Sequence, residues 1–259
     1  MRSSSDAARP RIGYLVDLQE DFMRAGAPGG RLYVKHLADP ADVGTEQIIP
    51  QLRRLARWMA DECDAVVYTR DAHRLVDPEI SSAAPDFVNT YPVHCAAYSD
   101  DAAERAGAAI IPEVAPSMPM LTLYRDATDD DAVAVAMNAV RDGLPVLVEK
   151  SRFSVWIGNR AMGAFVAALE AALGARPEII ACGVASDVCV AQGIDGFLER
   201  GYPVTVVRDA IYSLSGDDDA RLSGWATRGA TITTVDELCG PVDTTVRQAA
   251  ESGSTEERR

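Results

Sequence analysis

The chain alternates short β-rich runs with helical runs along most of its length, and this alternation limits the possible folds more than any other feature. The strand-like runs lie at residues 11–16, 65–69, 121–124, 145–148, 178–182, 204–207 and 231–234. Helical spacing of apolar residues occurs at residues 45–61, 130–141, 159–173, 187–200 and 217–228. Strands that alternate with helices form a parallel sheet covered on both faces. We therefore predict a three-layer α/β/α fold with a mostly parallel sheet of about six strands.

Length, charge and cysteine content limit the class of protein. With 259 residues the chain fits one large α/β domain, which we place at residues 11–243, between polar segments at 1–10 and 244–259 that we predict to be disordered. A net charge of −14 argues against nucleic acid and membrane surfaces as partners. No apolar run has membrane-spanning length, and the N-terminus lacks the apolar core of a secretory signal. The five cysteines contain no C-x-x-C pair, which indicates reduced thiols and a cytoplasmic protein.

An apolar run that ends at Gly183 is followed by an amphipathic run, which predicts a strand, a tight turn and a helix. Ser186 or Asp187 is expected to cap this helix by accepting hydrogen bonds from first-turn amides. Cys189 then lies in the first turn, where free amides and the helix dipole favour a thiolate, the form that attacks carbonyl groups. A lone cysteine is more often a small buried hydrophobe, so its meaning depends on the residues around it.

Polar residues follow other strands of the predicted sheet. Asp17 comes after the first strand, and Lys150 comes after the strand at residues 145–148. Right-handed crossovers place the carboxyl ends of parallel strands along one edge, where ligands bind, so we expect Asp17, Lys150 and Cys189 to meet there. A carboxylate, an ammonium group and a thiol suit covalent acyl transfer, because the carboxylate can accept the thiol proton and return it to a leaving amine. Taken singly, Asp17 also fits a turn residue and Lys150 a solvated charge.

A second group of polar residues lies in a long segment with little periodicity. Asp71 and His73 form an Asp-x-His pair, and His94 follows in the same segment, which also contains the carboxyl groups of Asp77 and Glu79. Imidazole nitrogens and carboxylate oxygens are ligands for Zn, Fe or Mn. Asp-x-His pairs are common, so these residues also fit a solvated loop without a metal.

Six motifs, in a fixed order within residues 11–235, make the chain similar to a known superfamily. They lie at residues 16–22, 29–30, 71–73, 91–95, 149–150 and 183–190. The chain resembles the isochorismatase-like cysteine hydrolases, and among them the nicotinamidases most. The resemblance implies hydrolysis of the carboxamide of nicotinamide, or of a related small ring amide, to acid and ammonia through a thioester. It also implies a small-molecule amide as the binding partner and a homo-oligomer.

The resemblance assigns roles to the residues of the predicted edge. Cys189 is the nucleophile, Asp17 is its general base, and Lys150 completes the triad. The backbone amides of Ala185 and Cys189 form an oxyanion hole. A cis peptide joins Val184 to Ala185, a bond that costs about 3 kcal/mol before a non-proline residue.

The resemblance also assigns a metal and a ring-binding site. Asp71, His73 and His94 hold a divalent metal, which is Zn, Fe or Mn and which binds the pyridine nitrogen of the substrate. Phe22 and Tyr91 flank the substrate ring.

Several positions depart from the nicotinamidase pattern near the expected substrate. Tyr91 stands where tryptophan is usual, and Ala72 and Val188 stand where aromatic residues are usual. The loop at residues 151–156 and the insert at residues 114–130 also differ from that pattern. These changes leave the nucleophile intact and bear on the identity of the substrate.

Alternative functions follow from these departures. The same fold and triad suit a carbamoyl or ureido compound, a lactam or a specialised metabolite, and Arg152 is a candidate ligand for a substrate carboxylate as well as an ordinary exposed arginine. A vinyl-ether hydrolase acting on isochorismate is a further alternative, against which Cys189 and the histidine pair argue. The last alternative is a binding protein without catalytic activity, and the intact triad argues against it.

Overall fold

A single parallel sheet organises the protein. The computed structural model describes residues 9–26 and 28–241, so most of both predicted disordered segments lies outside the described residues. The strands are β1 Arg11–Val16, β2 Ala65–Asp71, β3 Leu121–Leu123, β4 Val146–Lys150, β5 Glu178–Val184, β6 Val204–Tyr212 and β7 Thr231–Thr233. Their order is β3-β4-β2-β1-β5-β6-β7, and every neighbouring pair is parallel. The predicted α/β fold is therefore confirmed, with seven strands where about six were expected.

The helices are α1 Glu20–Met23, α2 Ile49–Glu62, α3 Ala102–Gly107, α4 Asp129–Asp142, α5 Val155–Gly158, α6 Met162–Leu173, α7 Cys189–Glu199, α8 Asp218–Thr227 and α9 Val235–Cys239. The five predicted helices are present as α2, α4, α6, α7 and α8 and differ mainly at their ends, whereas the short helices α1, α3, α5 and α9 were not predicted. A 3₁₀ turn at Gly44–Ile48 precedes α2. None of these helices, which are those of the described ranges, combines the length and the apolar content that a membrane span requires.

The ends of α4 show how the sequence sets a helix boundary. Thr128 accepts a hydrogen bond from the Asp131 amide, and the Asp131 carboxylate accepts one in return from the Thr128 amide. This reciprocal pair satisfies amides that the helix itself leaves without partners. Gly143 ends the helix in a left-handed conformation with φ of 64°.

Both faces of the sheet are covered by helices. On one face, Tyr14 and Val16 of β1 pack into a cluster formed with α4, α6, α7 and α8, while Leu15 points to the other face. There it joins Leu52 and Leu55 of α2, which are fully buried. Burying one such leucine contributes roughly 1.5–3 kcal/mol. A strand with two buried faces is apolar throughout, which explains the sequence of β1.

The strand order brings four chain segments to the same edge. From β1 the chain moves outward in one direction to β2 and β4 and later in the other direction to β5. Asp17 follows β1, while Asp71, Lys150 and Val184 are the last residues of β2, β4 and β5. These four strands are neighbours, so the crevice at the point where the strand order reverses receives all four ends.

Candidate active site

A buried lysine lies at the centre of this edge. Lys150 is 1% exposed. Its Nζ lies 2.8 Å from Asp17 Oδ2, contacts Asp71 Oδ1, and donates to Cys189 Sγ over 3.5 Å. One ammonium group therefore faces two carboxylates and a thiol. The structure brings together the three residues Asp17, Lys150 and Cys189 that the sequence placed at one edge.

Asp17 is held in a conformation that few residues adopt. Its φ is 53°, in the left-handed region, and Thr69 Oγ1 donates to its Oδ1 over 2.6 Å. The other oxygen, Oδ2, forms an ion pair with Lys150. No residue in the described part of the chain donates a hydrogen bond of good geometry to it. Burial raises the pKa of Asp17, and Lys150 opposes that effect. This carboxyl group is therefore suited to accept a proton at Oδ2.

Cys189 is the first residue of α7 and is almost fully buried. Burial raises the pKa of its thiol well above the usual value, Lys150 lowers it, and Asp17 and Asp71 raise it further. The balance of these effects favours the protonated thiol. This differs from the expected thiolate because the loss of solvation outweighs the helix N-terminus.

The expected cap of α7 is wrong. The residue before the helix is Val188, and no side chain caps it. Asp187 instead accepts hydrogen bonds from the amides of Leu214 and Ser215, over 3.1 and 2.8 Å. Ser186 Oγ is bonded to Asp218. These side chains connect the turn before Cys189 to the loop after β6 and to the start of α8, and tertiary contacts thus replace the local cap.

The turn before Cys189 provides two free amides. The peptide between Val184 and Ala185 is cis, as the resemblance implied. Within the described ranges, neither the amide of Ala185 nor that of Cys189 donates to another residue, so both are available to a substrate oxygen. Gly183 permits the turn, because its φ is 126° and a Cβ atom there would lie 2.2 Å from Val16 O.

Asp71, His73 and His94 form a buried cluster next to the triad. Asp71 Oδ2 lies 3.8 Å from His73 Nε2 and 3.9 Å from His94 Nε2. One ligand atom from each residue lies within 4.8 Å of the other two. The three residues are almost fully buried, so the prediction that they lie in a solvated loop is excluded.

The donor set of this cluster fits a divalent metal. His94 Nδ1 is bonded to Pro92 O at 2.7 Å and His73 Nδ1 to Asp77 Oδ2 at 3.2 Å, which leaves each Nε2 directed at Asp71. His73 Nε2 has no hydrogen-bond partner among the residues described. Metal-bound histidines commonly have their second nitrogen held by a carbonyl or carboxylate in this way. Two nitrogens and one carboxylate oxygen suit Zn, Fe or Mn.

The two histidines are in different electrostatic environments. Burial lowers the pKa of His73, but Asp71 and Asp77 outweigh it and raise that pKa to about 9. Burial and the neighbouring His73 lower the pKa of His94 to about 4. A metal binds neutral imidazole, so a metal held at this cluster would displace a proton from His73.

The motif that contains Asp17 also fixes the cluster, a role that the sequence reasoning missed. Gln19 Oε1 accepts from the Asp71 amide at 2.7 Å, and Gln19 Nε2 donates to Asp71 O at 2.9 Å. Asp21 Oδ2 accepts from the amide of Cys95 at 2.7 Å, and Cys95 has a φ of 43° next to His94. Buried polar residues two and four positions after Asp17 were the available sequence signal.

A narrow cavity joins the triad to the cluster. It is lined by Phe22, Leu32, Val34, Asp71, Tyr91, His94, Phe153, Ala185, Val188, Cys189 and Leu214. Its volume is about 30 Å³, far below the ~300–1,000 Å³ of most small-molecule sites. A ring-sized substrate therefore enters only if lining side chains move.

Both residues predicted to flank a substrate ring line this cavity. Phe22 packs against His94 with 5.5 Å between ring centroids, and Tyr91 packs edge-on against Phe153 at 5.4 Å. Phe153 was not predicted, although it lies in the loop that departs from the nicotinamidase pattern. Its neighbour Arg152 does not line the cavity.

The 114–130 insert has three structural roles. Residues 114–118 border a separate groove of about 680 Å³ beside α2, and none of the triad or cluster residues lines it. Leu121–Leu123 form the edge strand β3. Arg125 reaches back to Asp77, the carboxylate behind His73.

Glu79 is a buried carboxyl group behind the cavity wall. It is 6% exposed, and its Oε1 accepts from the Phe153 amide at 3.0 Å. Its Oε2 lacks a hydrogen bond within the described part of the chain. Burial raises its pKa to about 7.

We expect Glu79→Gln to stabilise the chelator-treated protein at pH 8 and not at pH 4. The folded-state pKa lies above the unfolded value of 4.5, so the wild type loses stability as pH rises from about 4.5 to about 7. Glutamine cannot ionise, and the variant gains up to about 3 kcal/mol relative to the wild type over that range. Urea unfolding of both proteins at several pH values measures the difference. A difference that does not change with pH would contradict this reading of Glu79.

Comparison with known proteins agrees with the fold. Residues 134–237 match the model of the Isochorismatase domain. No curated protein sequence matches the chain significantly. The resemblance to the isochorismatase-like hydrolases is confirmed over the matched segment.

Three solved structures illustrate the similarity. A nicotinamidase/pyrazinamidase from Acinetobacter baumanii has a TM-score of 0.60 and 17% identity, over 90% of this chain and 100% of that one. A pyrazinamidase from Pyrococcus horikoshii, in complex with zinc, has a TM-score of 0.55 and 22% identity. The match covers 86% of this chain and 98% of that one. N-carbamoylsarcosine amidase from Thermoplasma acidophilum has a TM-score of 0.56 and 20% identity. The match covers 88% of this chain and 97% of that one. At these identities the similarity establishes an isochorismatase-like hydrolase fold and leaves the substrate open.

Proposed function

We propose that this protein is a cysteine amidohydrolase that converts nicotinamide, or a related small ring amide, to the acid and ammonia. One observation carries the proposal: the same cavity is lined by the thiol of Cys189, by Asp71 and His94 of the metal-type cluster, and by the rings of Phe22 and Tyr91. A nucleophile and a ligand cluster on the same cavity suit a substrate with both a carboxamide and a ring nitrogen.

The first half of the reaction forms a thioester. Asp17 accepts the proton of Cys189 at Oδ2, and the sulfur adds to the carboxamide carbon. The amides of Ala185 and Cys189 donate to the oxygen that becomes negative, an effect of roughly 2.7–4 kcal/mol per donor in other enzymes. Lys150 keeps the anionic partners close together, because its Nζ contacts both Asp17 and Cys189.

The thioester forms when the protonated Asp17 returns its proton to the nitrogen and ammonia leaves as the carbon–nitrogen bond breaks. The second half releases the acid. Asp17 accepts a proton from water, whose oxygen attacks the thioester, and it returns that proton to the sulfur of Cys189 as the carbon–sulfur bond breaks. A divalent metal bound by Asp71, His73 and His94 would hold the substrate through its ring nitrogen.

A carbamoyl or ureido substrate is the second candidate. Tyr91, Val188 and Phe153 line the cavity and all lie at positions or loops that depart from the nicotinamidase pattern. The fold is about as similar to N-carbamoylsarcosine amidase, with a TM-score of 0.56, as to the nicotinamidases. The same nucleophile and base would attack a carbamoyl carbon, and the metal-type cluster would then have no ring nitrogen to bind.

The deciding experiment measures ammonia release from nicotinamide and from N-carbamoyl amino acids, with metal content determined on the same sample. We expect release from nicotinamide that is lost on chelation and restored by zinc. Release from the carbamoyl compounds alone, insensitive to chelation, would favour the second candidate. A protein that binds metal but releases ammonia from neither substrate would refute both assignments.

A further inference from the structure

We propose that Arg125 positions His73 for metal binding by fixing the carboxylate of Asp77. The inference rests on the metal site of the proposed function and concerns residues outside the triad and the ligand set. Arg125 belongs to the 114–130 insert, which matched no motif and would otherwise have no role near the site.

Arg125 holds Asp77 with both ends of its guanidinium group. Nη1 donates to Asp77 Oδ2 over 2.5 Å, and Nη2 donates to Oδ1 over 2.9 Å. Both side chains are 8% exposed. A bidentate pair fixes the plane of the carboxylate as well as its position. Removing the arginine would leave Asp77 a buried carboxylate without its bidentate partner, free to rotate or to draw in water.

Asp77 in turn holds His73. The same Oδ2 that accepts from Arg125 lies 3.2 Å from His73 Nδ1, and it also accepts from the Arg74 amide over 2.9 Å. With Nδ1 held there, the ring presents Nε2 to Asp71 Oδ2 at 3.8 Å. The orientation of the ligand nitrogen therefore depends on the position of one carboxylate oxygen.

Arg125 also holds the backbone between the two proposed metal ligands Asp71 and His73. Its Nη1 donates to the carbonyl of Ala72 over 2.7 Å, and Ala72 separates Asp71 from His73 in sequence. A single side chain thus supports the partner of one ligand and the chain segment that carries two. These contacts span 48 and 53 residues, so they fix the insert to the site.

The surroundings hold Arg125 in this pose. Its guanidinium carbon lies 5.9 Å from the centroid of the Tyr98 ring, and Tyr98 Oη donates to the buried Glu149 over 2.5 Å. Arg74 lies over the same ring at 5.2 Å. The Arg74 side chain, however, is 46% exposed and pairs with the exposed Asp126. Arg74 is therefore a matched control, because it is an arginine on the same ring whose side chain does not reach Asp77.

The test is zinc affinity, measured by competition with a chelating dye, for the wild type, Arg125→Gln, Arg125→Lys and Arg74→Gln. We expect Arg125→Gln to bind zinc 10- to 100-fold more weakly, the usual loss when the partner of a ligand is disturbed. Arg125→Lys retains the charge but not the bidentate geometry, so its loss is intermediate. Arg74→Gln stays within twofold of the wild type. The absorption spectrum of the cobalt-loaded protein should change in the Arg125 variants only.

Three results would overturn the inference. Zinc affinity within twofold of the wild type in both Arg125 variants would show that the arginine does not position the ligand. An equal loss in Arg74→Gln would show a general effect of charge. If the wild type itself binds no zinc, the inference falls together with the metal site, whereas equal binding by wild type and variants overturns the inference alone. Arg125→Lys decides the question if Arg125→Gln does not fold.

Discussion

Replacing Cys189 with alanine is expected to lower ammonia release by roughly 10⁶-fold, the loss found when the nucleophile of another covalent hydrolase is removed. The thiol lies on the cavity wall beside Lys150, and no other cysteine lines that cavity among the described residues. Ammonia release from the best substrate of the wild type, under saturating conditions, measures the effect.

Two further measurements show whether the loss reflects chemistry. Cys189→Ala should retain the zinc affinity and the thermal stability of the wild type, because alanine is smaller and only a buried thiol is lost. Cys63→Ala, a half-buried cysteine outside the cavity, is the matched control and should retain activity. Wild-type protein quenched during turnover should carry the acyl group on the peptide that contains Cys189. Normal turnover by Cys189→Ala would refute the mechanism.

Replacing Lys150 with methionine is expected to lower the free energy of unfolding by about 3–5 kcal/mol and to abolish activity. The substitution keeps the length of the side chain but leaves Asp17 and Asp71 buried without their common cation. Urea unfolding at pH 7 measures the loss, which should shrink at acid pH as protonation relieves the repulsion between the carboxylates. Lys35 is the other lysine of the chain and is partly exposed, so Lys35→Met should change stability by at most about 0.5 kcal/mol.

A double variant tests the cause of this loss. Adding Asp71→Asn to Lys150→Met removes one of the two unpaired carboxylates, so we expect about half of the lost stability to return. Residues in contact do not contribute independently, and the size of the recovery measures their coupling. If the two substitutions simply add, the lysine stabilises the fold by packing and not by charge.

The sequence alone predicted the architecture because the relevant signals are local. The alternation of short apolar runs with helical spacing predicted the parallel sheet, and the handedness of crossovers predicted which strand ends share an edge. For Asp17, Lys150 and Cys189 this was enough to place them together, since each lies at the end of a strand or in the turn and helix start that follow it. The helix predicted at residues 130–141 also matches α4 to within one residue at each end, because capping depends on neighbouring residues.

The sequence could not predict features that depend on packing. Phe153 lines the cavity because the loop after β4 folds over it, and Arg125 reaches Asp77 across 48 residues. Asp187 binds the loop after β6 in place of the local amides that its position in the sequence suggested. Such contacts leave no periodic pattern, because they join segments that are far apart in the chain.

The chain's residue pattern determined the α/β fold, the common edge and the set of reactive groups. Tertiary structure decided their chemical state. Burial raises the pKa of the Cys189 thiol despite its place at a helix N-terminus, and it raises the pKa of Glu79 to about 7. Solvation energy depends on everything that surrounds a group, whereas sequence patterns report only its neighbours along the chain.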